Sequence, residues 1–472
     1  MNKTRGILKP LSDSRRRRQS WYFVLIDGEG VRLITEFGDL FHADPGTEAN
    51  DLIAKTPGIG FTENHKSLLA ATMPTTWTAK QRRHRVLEMR HDSDSKVNIL
   101  PAGLLDDFSG LDRFLAIQQY MEWLRENDVF VTARTGWNTL GRHLYQSTLT
   151  RPVRFFGLVP GGRQIFYGGR KSAPWPMAYS RAAKYDISAA YAHSLGTAPM
   201  PRALRQMKRA CVGSGDGFAF VTATVPEMAF PPLPERADRH SVAALRWKTG
   251  EITGWHSFGE LRHAMTLGVK LTVHSSYEGY LYHDDFARWF EVVQQGRALG
   301  LGAKLAKHHA NLLWSSFGAG PSPIYWKRYD ENRKPILIKM QKAGPDFRRG
   351  EVYLPALIAS RVRTRLHREA LAPGGRERRT VIHCDTDGFI GGQSEDLPTD
   401  IVGLGSWRRV KDIPYIEVKS PNSYRYRCND CGTLHAEWHY SVAGAKNQDS
   451  LRRAFRRSPR TIHQEDPASV LG

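Results

Sequence analysis

Two segments with the character of β-strands lie far apart in the chain, and both carry aspartate. DISAAYA (Asp186 to Ala192) follows Ala182-Ala183-Lys184-Tyr185, and HCDTDGFI runs from His383 to Ile390. If these acids act together, the fold must bring two rigid elements side by side. Between them lies KHHANLLWSSFG, Lys307 to Gly318. Its Lys307, Asn311 and Trp314 stand at i, i+4 and i+7, one face of a helix. Leu305, Leu312 and Leu313 supply packing on other sides, and Arg297 precedes it on the same or a neighbouring helix.

The spacing predicts local geometry. Asp385 and Asp387 are two apart, and a strand's period of two would place them on one face. Gly388 and Gly391-Gly392 imply a turn soon after, hence a hairpin tip. Asp186 leads into Ile187 and would end a neighbouring strand. Taken singly, DTD reads as a turn with solvated carboxylates, and the helix as an ordinary amphipathic one with a basic face. Taken together they are the equipment for nucleotidyl transfer. Two metal ions about 3.5–4 Å apart stabilise the attacking and leaving oxygens of an in-line displacement at phosphorus. Mg²⁺ needs only one or two carboxylates beside waters and substrate phosphates, and a helical lysine suits a triphosphate.

Charge agrees. Sixty-eight Lys+Arg against 47 Asp+Glu give a formal charge of +21 over 472 residues, and the pI is near 9.9. A polyanion is the natural partner. Basic runs occur at Arg15 to Arg18, Lys80 to Arg85, Arg361 to Arg368 and Arg452 to Arg457, with aromatics among them. No apolar run reaches the roughly 18 residues of a membrane span, and no secretory signal is visible. Four cysteines do not make a disulfide framework, so a reducing cytoplasm fits.

The three blocks, in this order, resemble motifs A, B and C of family B DNA polymerases, in the phage, viral and organellar branch that includes protein-primed enzymes. Motif A runs D-x-x-S-L-Y-P, motif B K-x-x-x-N-S-x-Y-G and motif C Y-x-D-T-D-S; here they read DISAAYA, KHHANLLWS and HCDTDG. YGGR (Tyr167 to Arg170) is similar to the branch's Tyr-x-Gly-Gly element. PPLP (Pro231 to Pro234) and KTGEITGWHSFGELRHAMTLG are similar to its palm segment before the fingers. SPNSYRY is similar to its Lys-x-Tyr motif, with Asn422 at the lysine position. The resemblance covers about residues 165 to 445.

It implies a DNA-directed DNA polymerase that adds dNMP to a 3′-hydroxyl in DNA replication, with two Mg²⁺ or Mn²⁺ ions. Asp186 and Asp387 would be metal ligands, Asp385 would stand beside them, and the Ile187 carbonyl would join the coordination. Tyr191 would exclude a 2′-hydroxyl, Lys307 and Arg297 would bind triphosphate, and Asn311 would support the nucleotide pocket. Tyr167, Gly168, Gly169 and Tyr424 would contact DNA. Implied partners are template-primer DNA, dNTPs and a terminal protein or other replication proteins. A phage or plasmid source would place it in a host cytoplasm. Departures are Ala189, Ala192, Leu312, Trp314, Ser315, His383 and Gly388, which alter pocket walls and spare the acids and the lysine. Two alternatives stay open: a primase-like or protein-primed strand initiator of the same fold, and an inactive DNA-binding remnant.

The implied fold is α/β plus α+β. A basic, disordered arm (1–20) precedes a reduced ribonuclease H-like exonuclease domain (21–150). A linker (151–180) leads to a right-hand polymerase, with palm and short fingers (181–419) and a minimal thumb (420–472). WYFVLIDGEG offers Asp27 and Glu29 as an exonuclease Asp-x-Glu. The second element offers Glu63 in place of aspartate, and FSGLD offers Asp112 for the third. Cys428 and Cys431 with His435 and His439 have zinc-ligand chemistry. The same stretch alternates around Asn429-Asp430-Cys431-Gly432 as a hairpin, which is the preferred reading.

Overall fold

The computed structural model describes residues 7–8, 21–27, 30–35, 40–56, 59–62, 65–82, 85–92, 96–99, 108, 110–129, 137–150, 153–155, 162–167, 169–173, 176–236, 245–318, 324–341, 352–371, 381–392, 403–421, 423–427, 438–442 and 455. The architecture is mixed α/β. Two compact units form, one from Met1–Arg154 with Asp285–Arg349, the other from Phe155–Asp284 with Gly350–Gly472. The segment 181–419, expected to form palm and fingers, is thus divided between them.

The first unit is built on a nine-stranded sheet. Trp21–Asp27, Gly30–Thr35 and Leu40–Ala43 form an antiparallel meander. The helix Thr47–Lys55 then crosses over to Ile59–Thr62, which runs parallel to Trp21–Asp27. Lys96–Ile99 adds a further parallel strand. Tyr22, Phe23 and Val24 are all buried, so the unbroken apolar run of this strand reflects burial on both faces. The hairpin Trp77–Arg82 and Arg85–His91 extends the sheet. A second hairpin, Ile324–Tyr329 and Pro335–Gln341, arrives from much later in the chain and pairs with Trp77–Arg82. Tyr329 joins the core of Tyr22, Val24, Leu33 and Trp77. Trp326 lies between Lys80 and Arg90, at 5.5 and 5.3 Å.

Helices Gly110–Glu126, Trp137–Thr148, Asp285–Gln295 and Ala303–Gly318 belong to the same unit. In the last of these, Leu305, His309, Leu313 and Phe317 make a buried stripe at i+4 spacing, while Lys307 and Asn311 are exposed. The predicted helix and its polar face are therefore present. His309 accepts or donates at 2.5 Å to the Tyr120 hydroxyl.

The two larger sheets of the second unit are formed by β1 (Arg170–Ser172), β2 (Met177–Ile187), β3 (Met200–Gln206), β4 (Gly217–Val225), β5 (Gly250–Ser257), β6 (Lys270–His283), β7 (Val381–Thr386), β8 (Gly388–Gly392), β9 (Trp407–Ser420), β10 (Ser423–Arg427) and β11 (His439–Val442). One antiparallel sheet has the order β1-β7-β8-β2-β9-β10-β11, and a second has β3-β6-β4-β5. The β7–β8 hairpin is the one expected around DTD, and its return strand pairs with β2. Helices α1 (Ala190–Gly196), α2 (Phe258–Thr266) and α3 (Tyr353–Leu366) accompany the sheets. Ser257 and Glu260 close a reciprocal capping box at the start of α2. Among the described residues no helix is long and apolar enough to cross a membrane.

Candidate active site

β2 carries Asp186 next to its end, and the β7–β8 hairpin carries the other acids. Asp186 lies opposite Gly388 in the β2–β8 register, and the Ile187 N–H donates to the Asp387 carbonyl at 3.0 Å. Two backbone relations therefore hold Asp186 and Asp387 side by side.

The tip of the hairpin is tight. The Asp387 N–H donates to the Asp385 carbonyl at 2.9 Å, spanning Thr386 at φ 67°. A β-branched residue in the left-handed region is a strained γ-turn centre. Such strain persists only where the surroundings over-determine it, and here glycines do so. A Cβ on Gly169 would fall 2.5 Å from Thr386 Cγ2 and 2.8 Å from the Tyr191 hydroxyl. A Cβ on Gly388 would run into Asp186 Oδ1 and the Tyr185 carbonyl.

This turn corrects one expectation. Asp385 and Asp387 do not share a strand face, because β7 ends at Thr386 and Asp387 itself occupies the turn. Asp385 lies opposite Lys171 of β1, whose Nζ is 3.3 Å from its Oδ1. Tyr191 sits in the first turn of α1, which opens after Ala189 at φ 48°. The loop before β9 clasps this turn: the Ser188 N–H donates to Ser406 O at 2.9 Å and the Gly405 N–H to Ser188 O at 2.6 Å.

The charges are organised unequally. Burial, then Asp186, then Asp385 push the Asp387 carboxyl up to about 6. Burial would raise Asp385 too, but Lys171, His383 and the Thr386 hydroxyl outweigh it and hold that carboxyl below its ordinary value. Burial, and next Asp387, raises the Tyr191 hydroxyl. Arg408 of β9 lies opposite Asp186, with Nη2 3.5 Å from Oδ2. Sequence reasoning missed Arg408, because WRR after a glycine-rich loop carries no motif; only the strand register aims it at the acid.

The donor set fits hard divalent cations. Two carboxylates and the Ile187 carbonyl would offer the oxygen donors that Mg²⁺ prefers. A bound cation would offset both the burial and the repulsion that raise Asp387. Among the described residues no group of three or more His, Cys, Asp or Glu side chains is placed to hold a metal alone.

Other predicted residues fall elsewhere. Tyr167 is buried, stacks on His256 at 5.4 Å and accepts through its carbonyl from Arg363 at 2.7 Å. Arg363 in turn donates to Glu260 at 2.8 Å, and both are buried. Tyr424 is buried against His383 at 4.5 Å. Both rings are buried in the second unit, and Tyr167 stands in irregular chain two residues before Gly169. Arg297, Lys307 and Asn311 are exposed residues of the first unit. Asp27 ends the strand Trp21–Asp27, and Asp112 lies in the first turn of Gly110–Glu126. Gly168, Glu29, Glu63, Cys428, Cys431 and His435 lie outside the described residues. His439 opens β11, which pairs antiparallel with β10 with His439 opposite Tyr426; the turn expected at 429–432 lies outside the described residues.

No protein-family model matches the sequence, and no curated protein matches it either. Solved structures do match. Phi29 DNA polymerase complexed with primer-template DNA and incoming nucleotide substrates superposes with a TM-score of 0.62 at 12% identity, covering 92% of this chain and 93% of that one. Its binary complex with primer-template DNA gives 0.62 at 11% identity, covering 93% and 95%. Its complex with single-stranded DNA gives 0.58. The chain has the fold of phi29 DNA polymerase.

Proposed function

We propose that this chain is a template-directed DNA polymerase that adds dNMP to a primer 3′-hydroxyl. The observation that carries the proposal is the juxtaposition of Asp186 and Asp387. Strand register and one backbone hydrogen bond hold them together, on a fold whose phi29 counterpart was seen with primer-template DNA and nucleotides. The mixed sheet, with its strand Trp21–Asp27 beside the parallel Ile59–Thr62, supports a reduced ribonuclease H-like domain at the N-terminus, and the antiparallel β7–β8–β2 sheet supports a palm.

Asp186, Asp387 and the Ile187 carbonyl would hold Mg²⁺ or Mn²⁺. The ions, when bound, supply charge stabilisation to the attacking and leaving oxygens. The chain's own residues do the rest. Asp385, neutralised by Lys171, keeps the strained turn in place. Tyr191, wedged behind Gly169, presents an immobile ring to the sugar. Lys307 with Arg297 provides cations for the triphosphate, and Asn311 shares the exposed face of Lys307. The high positive charge favours the nucleic-acid backbone, with salt-sensitive binding.

The experiment is primer extension on a defined template with Mg²⁺. Asp186→Ala and Asp387→Ala are each expected to lose incorporation by about a thousandfold or more while template-primer binding persists, since metal-held charge stabilisation is worth several kcal/mol. Near-normal incorporation by either variant would show the acids to be misassigned.

A further inference from the structure

The second unit holds a cavity of about 640 Å³ against the turn that follows Asp186. Its floor is apolar: Ile187, Ala190, Leu357 and Trp407 line it. Three arginines of one basic run, Arg361, Arg365 and Arg368, line its wall. The proposed polymerase chemistry uses none of them.

Their charges are not equivalent. Arg361 donates to Asp216 at 2.8 Å and to the carbonyls of Ser194 and Pro199 at 3.3 Å, so its guanidinium is tied into the structure. Arg365 and Arg368 differ, because both lean on the single carboxylate of Glu369. Arg365 reaches it through Nε, at 2.9 and 3.0 Å, and Arg368 through Nη2 at 3.3 Å. The Trp407 indole N–H donates to the same carboxylate at 2.8 Å. One carboxylate shared by two guanidiniums leaves a surplus positive charge on the wall. Arg365 meets Glu369 through Nε, so that pair does not need its two Nη groups. Arg368 is 64% exposed and stands on the solvent side. His193, another lining residue, has its imidazole pKa lowered by burial and then by Arg365; it is a neutral hydrogen-bonding group at pH 7.

A guanidinium fork matches phosphate oxygens in pairs. A cavity of this size accommodates a nucleotide-sized ligand, and an apolar floor selects one with a non-polar or aromatic part. We propose that this cavity binds a phosphate monoester bearing an apolar or aromatic group, with Arg365 and Arg368 on the phosphate and the floor under the substituent. The cavity shares Ile187 with the proposed metal site, but its two phosphate-facing arginines play no part there, so binding measured without metal tests the proposal independently of polymerase activity.

Phenyl phosphate is the probe. It carries the phosphate and the ring but no sugar or base. Isothermal titration of the full chain in EDTA removes metal-dependent binding at the carboxylates. Saturable one-site binding is expected, several-fold tighter than for inorganic phosphate because of the floor. Arg365→Ala and Arg368→Ala should each weaken it about ten- to a hundredfold, the worth of a hydrogen bond to a charged group. Lys307→Ala should leave it unchanged. If Arg365→Ala does not fold, the exposed Arg368→Ala decides alone. No saturable binding, an unchanged constant in Arg368→Ala, or loss of binding in Lys307→Ala would each overturn the proposal.

Discussion

At the scale of single residues, the site depends on two glycines as much as on its acids. Gly388 faces Asp186 across the β2–β8 register, and a Cβ there meets backbone as well as the carboxylate. Gly388→Ala is therefore expected to push the strands apart, costing about 1–3 kcal/mol of stability. Primer extension should fall on the order of 100-fold, the effect of about 1 Å misplacement, with DNA binding retained. Thermal melting and single-turnover extension measure both. Arg408 makes a contrasting case. It occupies part of the space around Asp186 as a resident cation, at 3.5 Å and 44% exposed. An exposed pair of this kind is worth about 0.2–1 kcal/mol, so Arg408→Ala should bind Mn²⁺ up to about fivefold more tightly in an electron paramagnetic resonance titration; weaker binding would mean that Arg408 assists the ion. The meeting of the Asp186 strand with the DTD hairpin was legible, because shared chemistry would demand two rigid elements side by side. Arg408 was not, because a register between strands is a long-range property. The strained Thr386 was not, because nothing in DTDG marks positive φ at a β-branched residue.

At the scale of elements, the three predicted pieces exist: the strand carrying Asp186 next to its end, the DTD hairpin and the Lys307 helix. Amphipathic periodicity and glycine placement act locally, and they survived. The burial of the Tyr167 and Tyr424 rings was not legible, because an aromatic residue looks the same from sequence whether it faces solvent or a core. Here burial against His256 and His383 decides. The N-terminal strand Trp21–Asp27 ends in one acid of the kind a nuclease needs. Its predicted partner Glu63 is longer than aspartate by one methylene, and moves its oxygens by about 1.5 Å. We expect 3′–5′ degradation of single-stranded DNA without dNTPs to be slow or absent. A double Asp27→Ala, Glu29→Ala variant should then match the wild type; brisk wild-type digestion lost in the variant would restore a working nuclease.

At the scale of the whole molecule, buried histidines dominate the acid response, His256, His309 and His367 most strongly. Burial lowers His256 to about 4, and His309 and His367 to about 3. Below pH 6.5 the unfolded chain takes up protons at these sites while the folded chain does not, so stability falls as pH falls. Asp387, raised to about 6, works in the opposite sense, gaining stability as pH falls below that value. The histidines outweigh Asp387, so unfolding takes up protons near pH 5. The melting temperature should drop steadily from about pH 6.5 to 5, and His256→Gln should flatten part of that slope. The division of the chain into two units was the least legible feature. Composition marks a crossing near residue 151, but nothing marks the return of Asp285–Arg349 to the first unit. That return governs how the protein is made. Trp77–Arg82 receives its neighbour Ile324–Tyr329 only after the ribosome has passed Tyr329. At about 5–20 residues per second the wait is on the order of ten to fifty seconds. Throughout that interval the nascent sheet has an open edge, and any other strand within reach is a rival for it.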